Sequence, residues 1–244
     1  MSARLLSSGI WIASGSAVAA ELASETGFDW LLLDLEHGCL SESGIPGSLM
    51  AVKGSGCKPV VRVGKIDPVL IARVLDWGAA GIMLPQVSSP AAAKECLRAM
   101  NYPPHGERGY TSSARAYGYG LRPPAEPGKV TQPFFIAQIE DVEGVRNARA
   151  IAEVPGVDVL FVGPSDLKLN LSAYASPMSL PSALRKVVEA AHAAGKQAGI
   201  LAKDPAEARQ LEKDGFSCIA LGSDLGVWRK GFGDLLKQFS PPIT

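Results

Sequence analysis

Four short segments of this 244-residue chain carry the side chains best suited to chemistry. Asp34-Leu35-Glu36-His37-Gly38 offers two carboxylates and a histidine, and Val61-Arg62-Val63 sets a guanidinium inside an apolar run. Gln138-Ile139-Glu140 and Gly163-Pro164-Ser165-Asp166 add an amide and two more carboxylates. Glu140 and Asp166 are hard oxygen donors with no cysteine beside them, a set that suits Mg²⁺ or Mn²⁺, with Co²⁺ a further candidate. Waters or substrate oxygens would fill the remaining positions. Gln138, two residues before Glu140, falls on the same side of an extended strand and is expected to hydrogen-bond a ligand of that metal. Arg62 is costly to bury unless it meets an anion, and a substrate carboxylate matches its fork. His37 can move protons near neutral pH, with Asp34 close enough in the chain to orient it.

Each segment follows or interrupts a short apolar run, and eight such runs are spread along the chain. They are Gly9–Ala13, Asp29–Asp34, Pro59–Val63, Gly81–Leu84, Phe134–Glu140, Asp158–Val162, Gln197–Leu201 and Ser217–Leu221. They are apolar throughout rather than alternating, the pattern of strands buried on both faces of a parallel sheet. Between them the sequence predicts helices over Ser16–Thr26, Asp67–Trp77, Ser89–Met100, Val142–Glu153, Pro181–Ala194, Asp204–Gly215 and Asp224–Gln238. Several open on Asp-Pro or Ser-Pro and stop at glycine. Ser43–Lys53 is the weakest helix, because Pro46 and Gly47 sit within it. Eight strand–helix units imply an α/β fold, a single (β/α)₈ TIM barrel spanning residues 1–244 with a C-terminal helix. An open doubly wound sheet is the alternative. In a barrel the chemistry sits at the carboxyl ends of the strands, where all four segments fall. Lys203, Asp204, Ser223 and Asp224 also stand at strand ends, whereas the first and fourth strands offer little.

One stretch breaks the rhythm. Asn101–Pro133 holds six prolines and five glycines and shows neither period, so it reads as a long loop. Its Arg108, Arg115, Tyr110, Tyr117 and Tyr119 suggest more than a spacer; the plain alternative is a surface loop whose arginines are solvated or pair with a neighbouring subunit.

Composition narrows the classes. Lys+Arg and Asp+Glu are 24 each, which argues against nucleic-acid binding. No apolar run approaches the roughly 18 residues of a membrane span. Cys39, Cys57, Cys96 and Cys218 form no CxxC pair and read as free thiols, which points to a cytoplasmic protein. Arg4, Leu5–Ala13 and Ala17–Ala20 faintly imitate a secretory signal, but Ser7, Ser8 and Gly9 break the apolar part, and a strand and a helix fit it better.

Taken together and in order, these motifs resemble the HpcH/HpaI family of class II, pyruvate-dependent aldolases. So do Asp67-Pro68 with Val74-Leu75-Asp76-Trp77-Gly78-Ala79, Tyr102-Pro103-Pro104 with Gly106-Glu107-Arg108-Gly109, and Phe161-Val162 before Gly163 with Leu167 after Asp166. The likeness runs from about Gly9 to Leu221. It implies a (β/α)₈ barrel whose Glu140 and Asp166 bind a divalent metal that the pyruvate keto and carboxylate oxygens chelate. It implies that Arg62 stabilises the enolate oxygen and that His37 works with Asp34 in acid–base chemistry. Gln138 would contact the pyruvate moiety or a metal-bound water, and the backbone around Gly163, Pro164 and Ser165 would hold the carboxylate. The resemblance also implies a homo-oligomer, trimer or hexamer, with the C-terminal helix packed on a neighbour. After Leu167 the chain departs from the family pattern, with Lys168-Leu169-Asn170-Leu171-Ser172 and Ala173–Pro181 in place of small residues and a glycine-rich turn.

The reaction expected is reversible cleavage of a 4-hydroxy-2-oxo acid to pyruvate and an aldehyde. Oxaloacetate decarboxylation, or decarboxylation coupled to carbon–carbon bond formation, would use the same enolate. A non-catalytic barrel binding a small oxo acid is the alternative of another class. A Schiff base on Lys65 or Lys203 would be a different route to the same bond cleavage. The structural alternatives are an ion pair between Glu140 and Arg62, and Asp166 as a turn cap.

Overall fold

The computed structural model describes residues 5–239. Eight parallel strands close into one barrel in chain order, each bonded to the next and the last to the first. They are β1 (Ser8–Ile12), β2 (Trp30–Asp34), β3 (Lys58–Arg62), β4 (Gly81–Leu84), β5 (Phe134–Ile139), β6 (Val159–Val162), β7 (Gln197–Leu201) and β8 (Cys218–Ser223). This is the (β/α)₈ barrel, and closure excludes the open sheet. The observed bounds lie within a residue or two of the apolar runs. Arg4, part of the signal-like pattern, lies outside the described residues, while Ser8–Ile12 of that pattern forms β1 and Ala17–Ala20 the start of α1 (Ala17–Glu25). No helix among the described residues is long and apolar enough to cross a membrane.

The other helices are α2 (Ile45–Ala51), α3 (Pro68–Asp76), α4 (Pro90–Met100), α5 (Val142–Ala152), α6 (Pro164–Ala173), α7 (Leu180–Ala193), α8 (Pro205–Lys213) and α9 (Asp224–Phe239). Asp67, Ser89, Asp141 and Asp204 cap their helices with side-chain oxygens, as their sequence signatures require. Pro46 falls in the first turn of α2, where its missing N–H has no partner to lose, so that segment is a helix after all. α6 was not expected. Gly163-Pro164-Ser165-Asp166 reads as a turn, yet Pro164 opens a helix of 10 residues.

Two apolar layers hold the barrel. One lies between strands and helices. The other fills the interior with Trp11, Trp30, Leu32, Val60, Met83, Ile136 and Phe161. Strand alternation makes Trp30, Leu32 and Asp34 one inward file and Val60 and Arg62 another. Asp34 and Arg62 are paired in register across β2 and β3. The interior is thus apolar below and charged at its carboxyl end. A Cβ at Gly9 would collide with the Trp30 ring, so the close approach of β1 to that indole requires glycine.

The 101–133 loop packs beneath the opposite, amino end of the barrel. Arg108 pairs with Asp76 at 2.5 Å and stacks on Tyr102, while Arg115 bonds the carbonyls of Trp77 and Leu49. The Tyr102 and Tyr117 hydroxyls share a hydrogen bond of 2.9 Å. Arg108 and Arg115 therefore serve their own barrel, which corrects the reading of them as solvated or neighbour-pairing residues.

Phe161 is 1% exposed and meets Trp11 and Trp30 with ring centroids 5.6 and 6.2 Å apart. Phe161→Ala is expected to cost about 3–5 kcal/mol. Urea unfolding checks this as a lowered midpoint at an unchanged slope.

Candidate active site

At the carboxyl rim, Arg62 grips Asp34 with two parallel bonds, Nε to Oδ1 at 2.9 Å and Nη2 to Oδ2 at 2.7 Å. Asp34 also accepts the backbone N–H of Glu36 at 3.0 Å and of His37 at 3.3 Å, and the Trp11 indole N–H at 3.3 Å. The Arg62 guanidinium lies over the Trp11 ring, 5.1 Å from its centroid. Burial raises the Asp34 pKa, but the Arg62 hydrogen bonds and charge outweigh it and hold the carboxyl below its usual range. Burial disfavours the Arg62 charge in turn, and Asp34 more than restores it. Nη1 of Arg62 lies 3.0 Å from Oε2 of Glu36, an ion pair in distance without hydrogen-bond alignment. Burial pushes the Glu36 carboxyl up, against the opposing pull of Arg62 and His37.

Above this pair opens a cleft of about 330 Å³, lined by Glu36, His37, Gln86, Glu140, Asp141, Asp166, the α6 residues Leu169, Asn170 and Ala173, and Tyr174 just past the helix. Glu140 is 7% exposed. Its Oε1 accepts the Gln138 amide at 2.6 Å and its Oε2 the Gln86 backbone N–H at 3.0 Å. Burial first, then the charges of Asp166 and Glu36, push the Glu140 pKa to about 7 against the lowering pull of the Gln86 N–H and Arg62. A Cβ at Gly163 would collide with Oε1 of Glu140, so this glycine makes room for the carboxylate. Asp166, in the first turn of α6, has no described hydrogen-bond or ion-pair partner. Gln138 Oε1 is buried and unpartnered.

A family model described as HpcH/HpaI aldolase/citrate lyase matches residues 7–230. The chain belongs to that family. The hydroxypyruvate/pyruvate aldolase of Chromohalobacter salexigens is 37% identical over 95% of this chain and 92% of its own. The 5-keto-4-deoxy-D-glucarate aldolase of Shigella boydii is 38% identical, covering 98% of this chain and 94% of its own. Among solved structures, an HpcH/HpaI aldolase/citrate lyase family protein from Burkholderia cenocepacia superposes with a TM-score of 0.88 at 32% identity. That match covers 96% of this chain and 94% of the other.

Within this HpcH/HpaI barrel, His37, Glu140 and Asp166 face one cleft, and Asp34, Arg62 and Gln138 are buried. Gly163 backs Glu140, while Pro164 and Ser165 form the first turn of α6. Three expectations change. Arg62 pairs with Asp34 and Glu36 rather than Glu140. Asp34 reaches His37 through the backbone; the carboxylate nearest the imidazole is Glu36, whose Oε1 is 3.8 Å from Nε2. Asp166 belongs to a helix rather than capping a turn.

Other strand-end residues have structural work. Asp224 binds the N–H of Ala13 and the hydroxyl of Ser14, and Asp204 caps α8. Lys203 pairs with Glu207, and neither it nor Lys65 lines the cleft. Gln86 was missed at the end of the fourth strand, since a backbone N–H leaves no mark in sequence. A polar residue straight after Leu84-Pro85 was the available signal.

The residues fit a hard cation. Glu140 and Asp166 line one cleft and could give such an ion two oxygen ligands, although among the described residues no group of three or more His, Cys, Asp or Glu is placed to hold a metal. Glu140 and Asp166 also concentrate like charge that a cation would relieve.

Glu140 titrates near 4.5 when unfolded and near 7 when folded. A raised acid contributes stability that is full below the unfolded value and lost as pH rises through the folded one. In chelator, the wild type is expected to lose about 3 kcal/mol relative to Glu140→Gln between about pH 5 and pH 8. Urea titrations at both pH values check this, and parallel pH dependence in the two proteins would contradict it.

Proposed function

We propose that this protein is a divalent-metal-dependent lyase that reversibly cleaves a 4-hydroxy-2-oxo acid into pyruvate and an aldehyde. The observation that carries the reading is the meeting of two carboxylates, Glu140 and Asp166, in one cleft whose Glu36 lies 3.0 Å from a guanidinium locked in place by Asp34. The names of the two aldolase relatives support the reaction class.

Glu140 and Asp166 would hold Mg²⁺, Mn²⁺ or Co²⁺, which supplies Lewis acidity at the 2-oxo group. Arg62 adds fixed positive charge where the C2 oxygen becomes an enolate oxygen. Asp34 keeps the guanidinium from swinging away, and Trp11 backs it. No side chain caps α6, so the N–H groups of Ser165 and Asp166 are free to take the substrate carboxylate beside Gly163 and Pro164. Gln138 fixes the Glu140 carboxylate and presents a free amide oxygen. His37 accepts the proton of the C4 hydroxyl. The C3–C4 bond then breaks, the aldehyde leaves, and the electron pair passes toward the C2 oxygen. Protonation at C3 completes pyruvate.

The assembly we propose is a homo-oligomer, trimer or hexamer, of single-domain barrels in the cytoplasm. On α9 only Asp224 is buried, while Val227, Phe232, Leu235, Leu236 and Phe239 are each more than half exposed. Such a face calls for a partner.

A panel of 4-hydroxy-2-oxo acids and oxaloacetate, assayed for pyruvate release with each metal and with chelator, tests the reading. Cleavage is expected only with metal. Glu140→Ala should abolish it, and His37→Ala should slow it by about 10²–10⁴-fold while metal still binds. Absence of metal-dependent pyruvate release from every substrate would overturn the proposal. Light scattering checks for a species larger than the 25.5 kDa chain.

A further inference from the structure

We infer that Gln86 selects the aldehyde half of the substrate, its carboxamide hydrogen-bonding a hydroxyl next to the aldehyde carbonyl. The preferred acceptors are then short hydroxylated aldehydes rather than their unsubstituted counterparts. The inference rests on the lyase reading above and adds the acceptor class to it.

Two observations meet at this residue. The first is conformational. Gln86 holds φ at +54°, in the left-handed region. Tyr119 and Ala175 are the other described non-glycine residues with positive φ, and neither lines the cleft. The backbone has a clear task there. Its N–H binds Oε2 of Glu140, and the N–H of Val87 binds the carbonyl of Gln138 at 2.9 Å, so the turn after β4 clasps the end of β5. Glycine would perform that task without the steric penalty of a side chain. The glutamine side chain is therefore surplus to the turn, and strain kept beside a reaction site points to a role there.

The second observation is the state of that side chain. Gln86 is exposed and lines the cleft with Glu140 and Asp166, and its carboxamide has no described partner. α6 also lines the cleft with Leu169, Asn170 and Ala173, and Tyr174 follows at its end. Asn170 spends its Oδ1 on the N–H of Val142 at 3.1 Å, which leaves its NH₂ group unpartnered. Beside Leu169 and Ala173, this part of the cleft therefore carries two amides and a phenol, groups that match hydroxyls. A carboxamide both donates and accepts, as does a hydroxyl, so the two can pair in either sense. An unsubstituted alkyl aldehyde offers no such partner.

The test is kcat/KM for aldol addition of pyruvate to glycolaldehyde and to acetaldehyde, in the wild type, Gln86→Ala and Gln86→Gly. Both aldehydes meet the same pyruvate half, so any common loss cancels in their ratio. Alanine keeps the backbone penalty and glycine relieves it, while both remove the amide. The glycolaldehyde-to-acetaldehyde ratio is expected to fall about three- to tenfold in both variants, the range of one neutral hydrogen bond. An unchanged ratio in both, or a fall in only one, would overturn the assignment. Deuterium incorporation from solvent into the pyruvate methyl group, without aldehyde, reports the pyruvate half separately. Wild-type exchange with an unchanged ratio removes the Gln86 role alone. No exchange and no aldol addition removes the lyase reading, and this inference with it.

Discussion

The buried ion pair between Arg62 and Asp34 is the constraint on which the rim depends. A guanidinium 6% exposed inside a barrel survives only with its charge answered at close range. Asp34 answers it with both oxygens, and the register of β2 against β3 sets the two residues side by side. Removing one partner of such a pair costs about 3–5 kcal/mol, because the other is left buried and charged. The same carboxylate takes the N–H groups of Glu36 and His37, so the turn leaving β2 hangs from it. The carboxylate that neutralises the buried guanidinium is thus also the tie that shapes the loop bearing His37.

A second feature is charge imbalance. Arg62 is largely consumed by Asp34 and Glu36, while Glu140 and Asp166 line one cleft with no described ion-pair partner. Glu140 responds by keeping its proton near neutrality. A cation held there would have to displace that proton, which would couple its affinity to pH. Gly163 makes the crowding possible, since any larger residue would take the space of the Glu140 oxygen.

Much of this architecture was legible in the chain. Strands buried on both faces must be apolar throughout, so all eight were readable from runs such as Trp30–Asp34 and Phe134–Ile139. The co-location of His37, Arg62, Glu140 and Asp166 followed from the rule that strand ends share one rim. Three things were not readable, each for a physical reason. α6 begins with Gly-Pro-Ser-Asp, residues that serve turns and helix starts alike. The choice of Asp34 and Glu36 over Glu140 as partners of Arg62 depends on lateral register, which local patterns do not encode. Gln86 acts on Glu140 through its backbone, and a main-chain N–H has no residue type.

Asp224 opens α9 yet belongs to the barrel. Its carboxylate binds the N–H of Ala13 at 2.9 Å and of Ser14 at 3.2 Å, along with the Ser14 hydroxyl, just past the end of β1. It thereby stitches the seam where the first strand meets the last. The helix that follows is largely exposed, but its first residue is buried in the barrel. A shortened or circularly rearranged version of this protein would therefore have to keep the chain through Asp224, or lose the clasp that closes the ring.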